Sequence, residues 1–200
     1  MKTKYIALFI FLLIAADQIL KIWVKTHMTL DQTIIVCPDW FQLRFIENNG
    51  AAFGMQIDSA GNFDWGKLLL SIFRITMIGA LVFYLKYLIK NQAPKTIITA
   101  IALIFAGAVG NVIDSAFYGL LFSASTPLQT AHFGGHYAGL LMGKVVDMFY
   151  FPLFQWNSVP SFLRFLVDYN NYFFGPIFNL ADAYISVAVV LLLCQYKYFK

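Results

Sequence analysis

Charge is what this sequence has least of. Only 12% of its 200 residues are charged and 60% are hydrophobic; soluble domains run at about 25% and about 45–50%. A soluble fold of this length has no interior large enough for so much apolar surface, so a bilayer is the expected solvent. Cysteine is scarce as well. Cys37 and Cys194 alone define neither a disulfide framework nor a cysteine-rich metal site. The common hydrolase signatures are missing. There is no Gly-x-Ser-x-Gly elbow, and Gly134-Gly135 is too little to cradle a phosphate. His132 and His136 flank Phe-Gly-Gly and lack the Glu of a His-Glu-x-x-His helix, which argues against zinc. Neither cysteine has a neighbouring His or a basic setting in sequence to activate a thiol. No internal repeat or low-complexity tract is present.

What the chain does have is aromatic residues, 18% of the total, at a density that suits interfacial belts on a membrane. Its net charge of +4 comes from Lys residues set singly at the ends of apolar runs rather than in a patch. That placement follows the positive-inside rule and argues against a nucleic-acid partner.

A spanning helix needs about 20 apolar residues. By that criterion, transmembrane helices are expected at about 5–24, 68–90, 96–115 and 176–196. The first is read as an uncleaved anchor, because its apolar stretch runs on past Asp17 with no small-x-small cleavage site. Lys2 and Lys4, then Lys86, Lys90 and Lys95, then Lys197 and Lys200 fall on one side if all these segments cross. That side is expected to be cytoplasmic, with both termini. The outer segments, 25–67 and 116–175, then face the other compartment. Residues 33–47 read as short strands broken at Pro38-Asp39, and 145–154 also reads as a strand. An interfacial helix is expected over 158–174. The whole, residues 1–200, is expected to be a single membrane domain: mainly helical, with a small β element on the outer face.

Ionisable groups inside a span are costly, and each is a functional candidate by default. Alternating span directions put Asp17, Lys21, Arg74, Asn111, Asp114, Asn179 and Asp182 in one layer near the outer face. Asp17 and Lys21, at i and i+4, share a helix face and suit an ion pair, which is a structural role as readily as a functional one. Asp147 lies in an apolar strand-like run where Asp is disfavoured. Two carboxylates sharing a site hold one proton between them near neutral pH and so supply both a base and an acid. Proton-coupled transport uses similar groups, and a scaffold with aromatic outer segments would need none of them. The chemistry by itself does not choose.

Motif order is more specific. Asp17-Gln18-x-x-Lys21 is followed by Asn48-Asn49-Gly50-Ala51-Ala52-Phe53-Gly54, by Gly110-Asn111-Val112-Ile113-Asp114, by Val145-Val146-Asp147 and by Phe178-Asn179-Leu180-Ala181-Asp182. This set resembles the lipoprotein signal peptidases, the signal peptidase II family of bacterial intramembrane aspartyl endopeptidases. The resemblance implies four transmembrane helices with a periplasm-side β-cradle and an amphipathic element. It implies cleavage of prolipoproteins just before a cysteine that already carries diacylglycerol, at the outer face of the bacterial inner membrane. No metal or other cofactor and no acyl-enzyme are implied. Its catalytic pair would be Asp147 and Asp182. Asp17, Lys21, Asn48, Gly50, Asn111, Asp114, Asn179 and Ala181 would line or support the site. Diacylated prolipoproteins and membrane lipid are the expected partners, and a monomer is the expected state.

The match has departures. The family commonly places Arg directly after the Asp of the Gly-Asn-x-x-Asp motif, where this chain has Ser115. Arg74, Lys144 and Lys21 are the cations at hand to compensate. The stretch 119–144 is longer than usual and has the length of a flap over the site or a lid on a lipid groove. Residues 155–174 also exceed a minimal connection.

Overall fold

The structure, a computed structural model, describes residues 3–38, 40–48, 65–167 and 171–196. Gly50, the rest of its Gly-Ala-Ala stretch, and Asp39 at the expected strand break lie outside the described residues.

Among the described residues, three helical stretches are long and apolar enough to cross a bilayer. They are α1 (Thr3–His27), α2 (Trp65–Lys90) and the stretch Lys95–Leu121, which opens with α3 (Lys95–Ile113). After α3 the chain does not stop helically at Ile113. It passes through a π-helical turn, Asp114–Tyr118, and a last short helix, α4 (Gly119–Leu121). At 1.5 Å per residue each span rises roughly 37–40 Å, more than the hydrocarbon core of about 30 Å. Many large apolar side chains on α1 and α2 point outward, among them Phe11, Ile19, Phe73 and Phe83. Lipid would cover these faces.

β1 (Thr33–Cys37), β2 (Phe41–Asn48) and β3 (Val145–Tyr150) form an antiparallel sheet in that order. β3 ends before Pro152, short of the expected 154, because proline cannot donate to the ladder. Residue Phe178 takes up where β3 leaves a free side: it exchanges backbone hydrogen bonds with Phe149 and accepts one from Met148. This extended pairing, with Pro176 just before it, holds off helix formation. The last helix, α5 (Leu180–Cys194), therefore starts at Leu180 rather than at 176. The expected interfacial helix over 158–174 is reduced to a 3₁₀ turn, Ser161–Leu166, that follows Pro160. Beyond it the chain returns antiparallel, with Gln155 bridging Tyr172 and Val167 bridging Phe173.

Packing occurs in layers. At one end Leu85, Leu88, Ile97, Ile98 and Ile101 join α2 to α3 and reach Ile6 of α1. At the other, Val24, Met28, Phe45, Tyr118, Phe122, Val146 and Met148 join α1 to the sheet and to the 119–144 segment. α3 and α5 meet through Ala100, Leu103 and Ala188, and through glycines that bring the backbones close. A Cβ on Gly107 would lie 2.5 Å from the Ala181 carbonyl oxygen. Small residues at such crossings are the usual means of close helix approach in membranes.

The 119–144 segment is stapled to the C-terminal end of α1 and to the turns that follow α3. Ala131 donates from its backbone to Lys25, Leu30 donates to Thr126, Ala138 to Gly119 and Gly143 to Ser115.

Candidate active site

Polar side chains collect between the apolar layers. On α1, Asp17 and Lys21 are buried and paired at 3.1 Å. The Lys21 ammonium also reaches Asp114 at 2.9 Å and donates to Asn111 Oδ1 at 2.8 Å. One ammonium thus spends its three protons on two carboxylates and an amide. Burial of these charges is tolerable because each carboxylate oxygen of Asp17 and Asp114 finds a donor. Gln18 donates to Asp17, to the Gly110 carbonyl and, at 2.9 Å, to Asp114, while its own oxygen accepts from Tyr118.

Asp17 has a second task. Its Oδ1 accepts from the Ala181 backbone N–H at 3.0 Å, in the first turn of α5. A carboxylate there satisfies an orphan donor and faces the positive end of the helix dipole. Gly110 makes room for it: a Cβ at that position would stand 2.6 Å from Asp17 Oδ2. Asp114, just past α3, accepts from the Val146 backbone N–H at 3.2 Å and so fixes β3 beside Asp147.

Asp147 and Asp182 arrive from different elements and are joined by two amides. Asn179 Nδ2 donates to Asp147 Oδ1 at 2.7 Å and to Asn111 Oδ1 at 3.1 Å. Asn111 Nδ2 donates to Asp182 Oδ1 at 2.9 Å. Asn48 adds a longer bond of 3.3 Å to Asp147 Oδ2. It can do so because Ile46 pairs with Asp147 and Asn48 lies two residues along β2, on the same sheet face. Asn179 is also the N-cap of α5: its side chain accepts from Asp182 N while Asp182 accepts from Asn179 N, a reciprocal capping box. Asp147 is buried and Asp182 half-buried, so the pair is asymmetric toward the surroundings. Burial pushes the Asp147 carboxyl up to about 7, and the Asp182 charge pushes the same way. The bonds from Asn179 and Asn48 and the Lys21 charge act against that rise.

Every described residue of the expected set thus falls in one connected network: Asp17, Lys21, Asn48, Asn111, Asp114, Asn179, Ala181, Asp147 and Asp182. Ser115, where an arginine was expected, is buried. Its hydroxyl donates to the Asn111 carbonyl at 3.1 Å, and its carbonyl accepts from Gly143 at 2.8 Å. The long segment packs directly over it.

Sequence reasoning missed the roles of Gln18 and Tyr118 and a second buried polar cluster. Lys25 pairs with Glu47 and donates to Ser125 at 3.0 Å, and Lys144 adds a 3.4 Å contact to Glu47. Lys25 also sits over the Phe122 and Tyr137 rings. A signal existed: Lys25 lies one turn beyond Lys21, and Glu47 is the chain's one glutamate.

Span-capable helices, a small sheet on one end and a buried carboxylate layer between them define a multi-pass membrane enzyme. Two solved structures described as bacterial membrane enzymes have this fold, with TM-scores of 0.63 and 0.64. They cover 98% of this chain and 90% and 94% of their own, at 24% and 23% identity. Sequence comparison goes further. The profile of the signal peptidase (SPase) II family matches residues 9–198. A lipoprotein signal peptidase of Porphyromonas gingivalis is 44% identical over 196 residues, covering 96% of this chain and 83% of that protein. One from Amoebophilus asiaticus is 35% identical over 187 residues, covering 90% and 72%. The chain belongs to the signal peptidase II family, and its activity is that of a membrane protease acting on prolipoprotein signal peptides.

Proposed function

We propose that Asp147 and Asp182 are the catalytic pair of an aspartyl endopeptidase that cuts diacylglyceryl-modified prolipoproteins just before the lipidated cysteine. The observation that carries this reading is the amide bridge. Asn179 and Asn111 hold the two carboxylates in one hydrogen-bonded chain, with apolar packing above and below. A carboxyl raised to about 7 beside a second carboxylate lets the pair keep one proton near neutrality.

The chemistry then runs as follows. The ionised carboxylate takes a proton from water as the water oxygen bonds to the scissile carbonyl carbon. The protonated carboxyl gives its proton to the carbonyl oxygen. The neutral gem-diol collapses when one hydroxyl returns its proton to that second carboxyl and the first delivers its own to the leaving nitrogen. The C–N bond breaks, and the pair regains its starting protonation. Asn179 and Asn111 donate to the carboxylates and fix their lone pairs. Asp17, Lys21 and Asp114 hold α1, α3, α5 and β3 together around them.

α5 is read as a fourth span. It is apolar and lies along α3, although its 15 residues rise only about 22 Å. Local bilayer thinning accommodates a short span at modest cost. With four crossings, the Lys distribution puts both termini in the cytoplasm and the carboxylate layer at the outer face, the depth at which acyl chains anchored in the bilayer would hold the cleavage site. A single monomeric membrane domain with lipid around α1 and α2 completes the reading. Asp147→Asn and Asp182→Asn, purified in folded form, should each abolish cleavage of a diacylated prolipoprotein. An unlipidated substrate should resist the native enzyme. Full activity of either variant would remove the pair from catalysis.

A further inference from the structure

Glu47 stands one residue before Asn48, the amide that reaches Asp147 at 3.3 Å. Side chains alternate along a strand, so the two point to opposite faces of β2. Asn48 pairs across the ladder with Val145, on the Asp147 face; Glu47 pairs with Val146, on the face that packs toward α1. There the Glu47 carboxylate is gripped from both ends. Oε1 meets the Lys25 ammonium of α1 and accepts from the Ser125 hydroxyl at 2.8 Å. Oε2 lies 3.4 Å from the Lys144 ammonium, directly before β3. Lys25 also donates to Ser125 at 3.0 Å and lies over the Phe122 and Tyr137 rings. The Tyr137 hydroxyl in turn accepts from the Lys144 backbone N–H at 2.8 Å, which fixes the entry to β3.

The end of β2 needs such a fastening. Its register on β3 shifts between Leu43 and Ile46. Leu43 pairs with Phe149 and Ile46 with Asp147, so two residues of β2 stand against one of β3. The ladder from Phe41 to Leu43 therefore does not by itself dictate which face Asn48 takes. A slip of one residue turns every side chain over. Here it would bring the Glu47 carboxylate against Asp147, where like charges repel. It would also leave Lys25 without its buried anion. An anion followed by an amide is thus matched to two unlike faces, one cationic and one acidic.

We infer that Glu47 is a positioning residue: clamped by Lys25, Ser125 and Lys144, it holds the end of β2 in the register that aims the Asn48 amide at Asp147. The 119–144 segment, which supplies Ser125, Tyr137 and Lys144, is then part of the frame of the site. The inference rests on the aspartyl reading above and adds a residue that acts on the pair only through Asn48.

The test is cleavage of a diacylated prolipoprotein peptide in detergent by Glu47→Gln, Asn48→Ala and the double variant, across pH, with kcat, KM and melting temperature recorded for each. Glu47→Gln keeps the size of the side chain and removes the charge that holds the two ammonium groups. The Asn48 bond favours the ionised form of Asp147, so a misaimed Asn48 lets the pair keep its last proton to higher pH. The alkaline limb should move upward in both single variants. Their kcat should fall by up to about tenfold, the scale of one hydrogen bond to a charged group, with KM little changed. The double variant should be no slower than Asn48→Ala and its limb no further displaced, because the two residues act in series. The charges facing Asp147 are Asp182 from α5 and Lys21 from α1, and these variants alter neither. A direct field effect of Glu47 has the opposite sign: loss of an anion eases ionisation of Asp147 and moves the limb down. A downward or unmoved limb in Glu47→Gln, or effects that multiply in the double variant, would overturn the inference and leave Glu47 a folding element. If Glu47→Gln does not fold, Ser125→Ala, a neutral change that removes one hold on the carboxylate, takes its place in the same cycle, and the same directions decide. Should Asp147→Asn remain active, the aspartyl reading itself has failed, a result separate from any outcome of the Glu47 cycle.

Discussion

Replacing Asn179 by serine separates two jobs that one side chain performs. As N-cap of α5, Asn179 accepts from Asp182 N. As amide donor, it reaches Asp147 at 2.7 Å and Asn111 at 3.1 Å. Serine caps a helix about as well as asparagine, whereas alanine there costs about 1 kcal/mol. Serine is too short to give the amide bonds. A hydrogen bond to a charged group contributes about 1.5–3 kcal/mol. If that contribution is felt by the reacting pair, the rate falls roughly tenfold to a hundredfold at 1.36 kcal/mol per decade. The sign of the pH effect is fixed too. The Asn179 bond favours the ionised form of Asp147 and lowers its pKa. Without it Asp147 keeps its proton to higher pH, so the alkaline limb of the profile should move upward. Cleavage of a diacylated prolipoprotein peptide across pH, with melting curves for Asn179→Ser and Asn179→Ala, reads all of this. Both variants should be slow; Asn179→Ser keeps the cap and should melt above Asn179→Ala, which loses the cap as well as the amide bonds. A serine variant with native rate and native alkaline limb would refute the idea that the amide bridge tunes the pair.

Two further outcomes follow from packing. Lys25→Met should destabilise the protein by about 1–3 kcal/mol, because buried Glu47 keeps only the Ser125 hydroxyl and the exposed Lys144 ammonium at 3.4 Å; adding Glu47→Leu should recover part of the loss, which a double-mutant cycle in detergent melts would show. Gly110→Ala should lower the melting temperature and the activity together, since the new Cβ meets Asp17 Oδ2 at 2.6 Å and Ala181 Cβ at 3.3 Å; native behaviour would mean that α5 can shift without loss.

The sequence was most legible where one physical rule acts alone. Apolar length identified α1, α2 and α3, and alternation with breakers identified the strands of the sheet. Depth along the spans grouped Asp17, Lys21, Asn111, Asp114, Asn179 and Asp182, and motif order added Asp147. Less legible were features decided by tertiary pairing. The start of α5 depends on Phe178 bonding to Phe149 across the fold, which no local propensity announces. The π-helical turn at Asp114–Tyr118 adds a residue to the helical ring, a local widening that side-chain periodicity does not reveal. The 119–144 segment, with its glycines and exposed Leu128, reads as a loop, yet Gly143 packs so closely that a Cβ there would lie 2.2 Å from the Asp114 carbonyl oxygen. Lys25 and Glu47 escaped notice because their partnership joins α1 to β2 through space.

The capping box at α5 has an implication for how this protein can change. Asp182 closes the first turn of the helix with the same carboxylate that is proposed for the catalytic pair, and Asn179 starts that helix with the same amide that steadies Asp147. Selection for a hardier scaffold therefore has no independent access to this joint: a better cap rewires the chemistry, and a retuned pair loosens the helix. Adaptation to heat or to a different bilayer is left to the lipid-facing flanks of α1 and α2, where substitutions touch neither atom set.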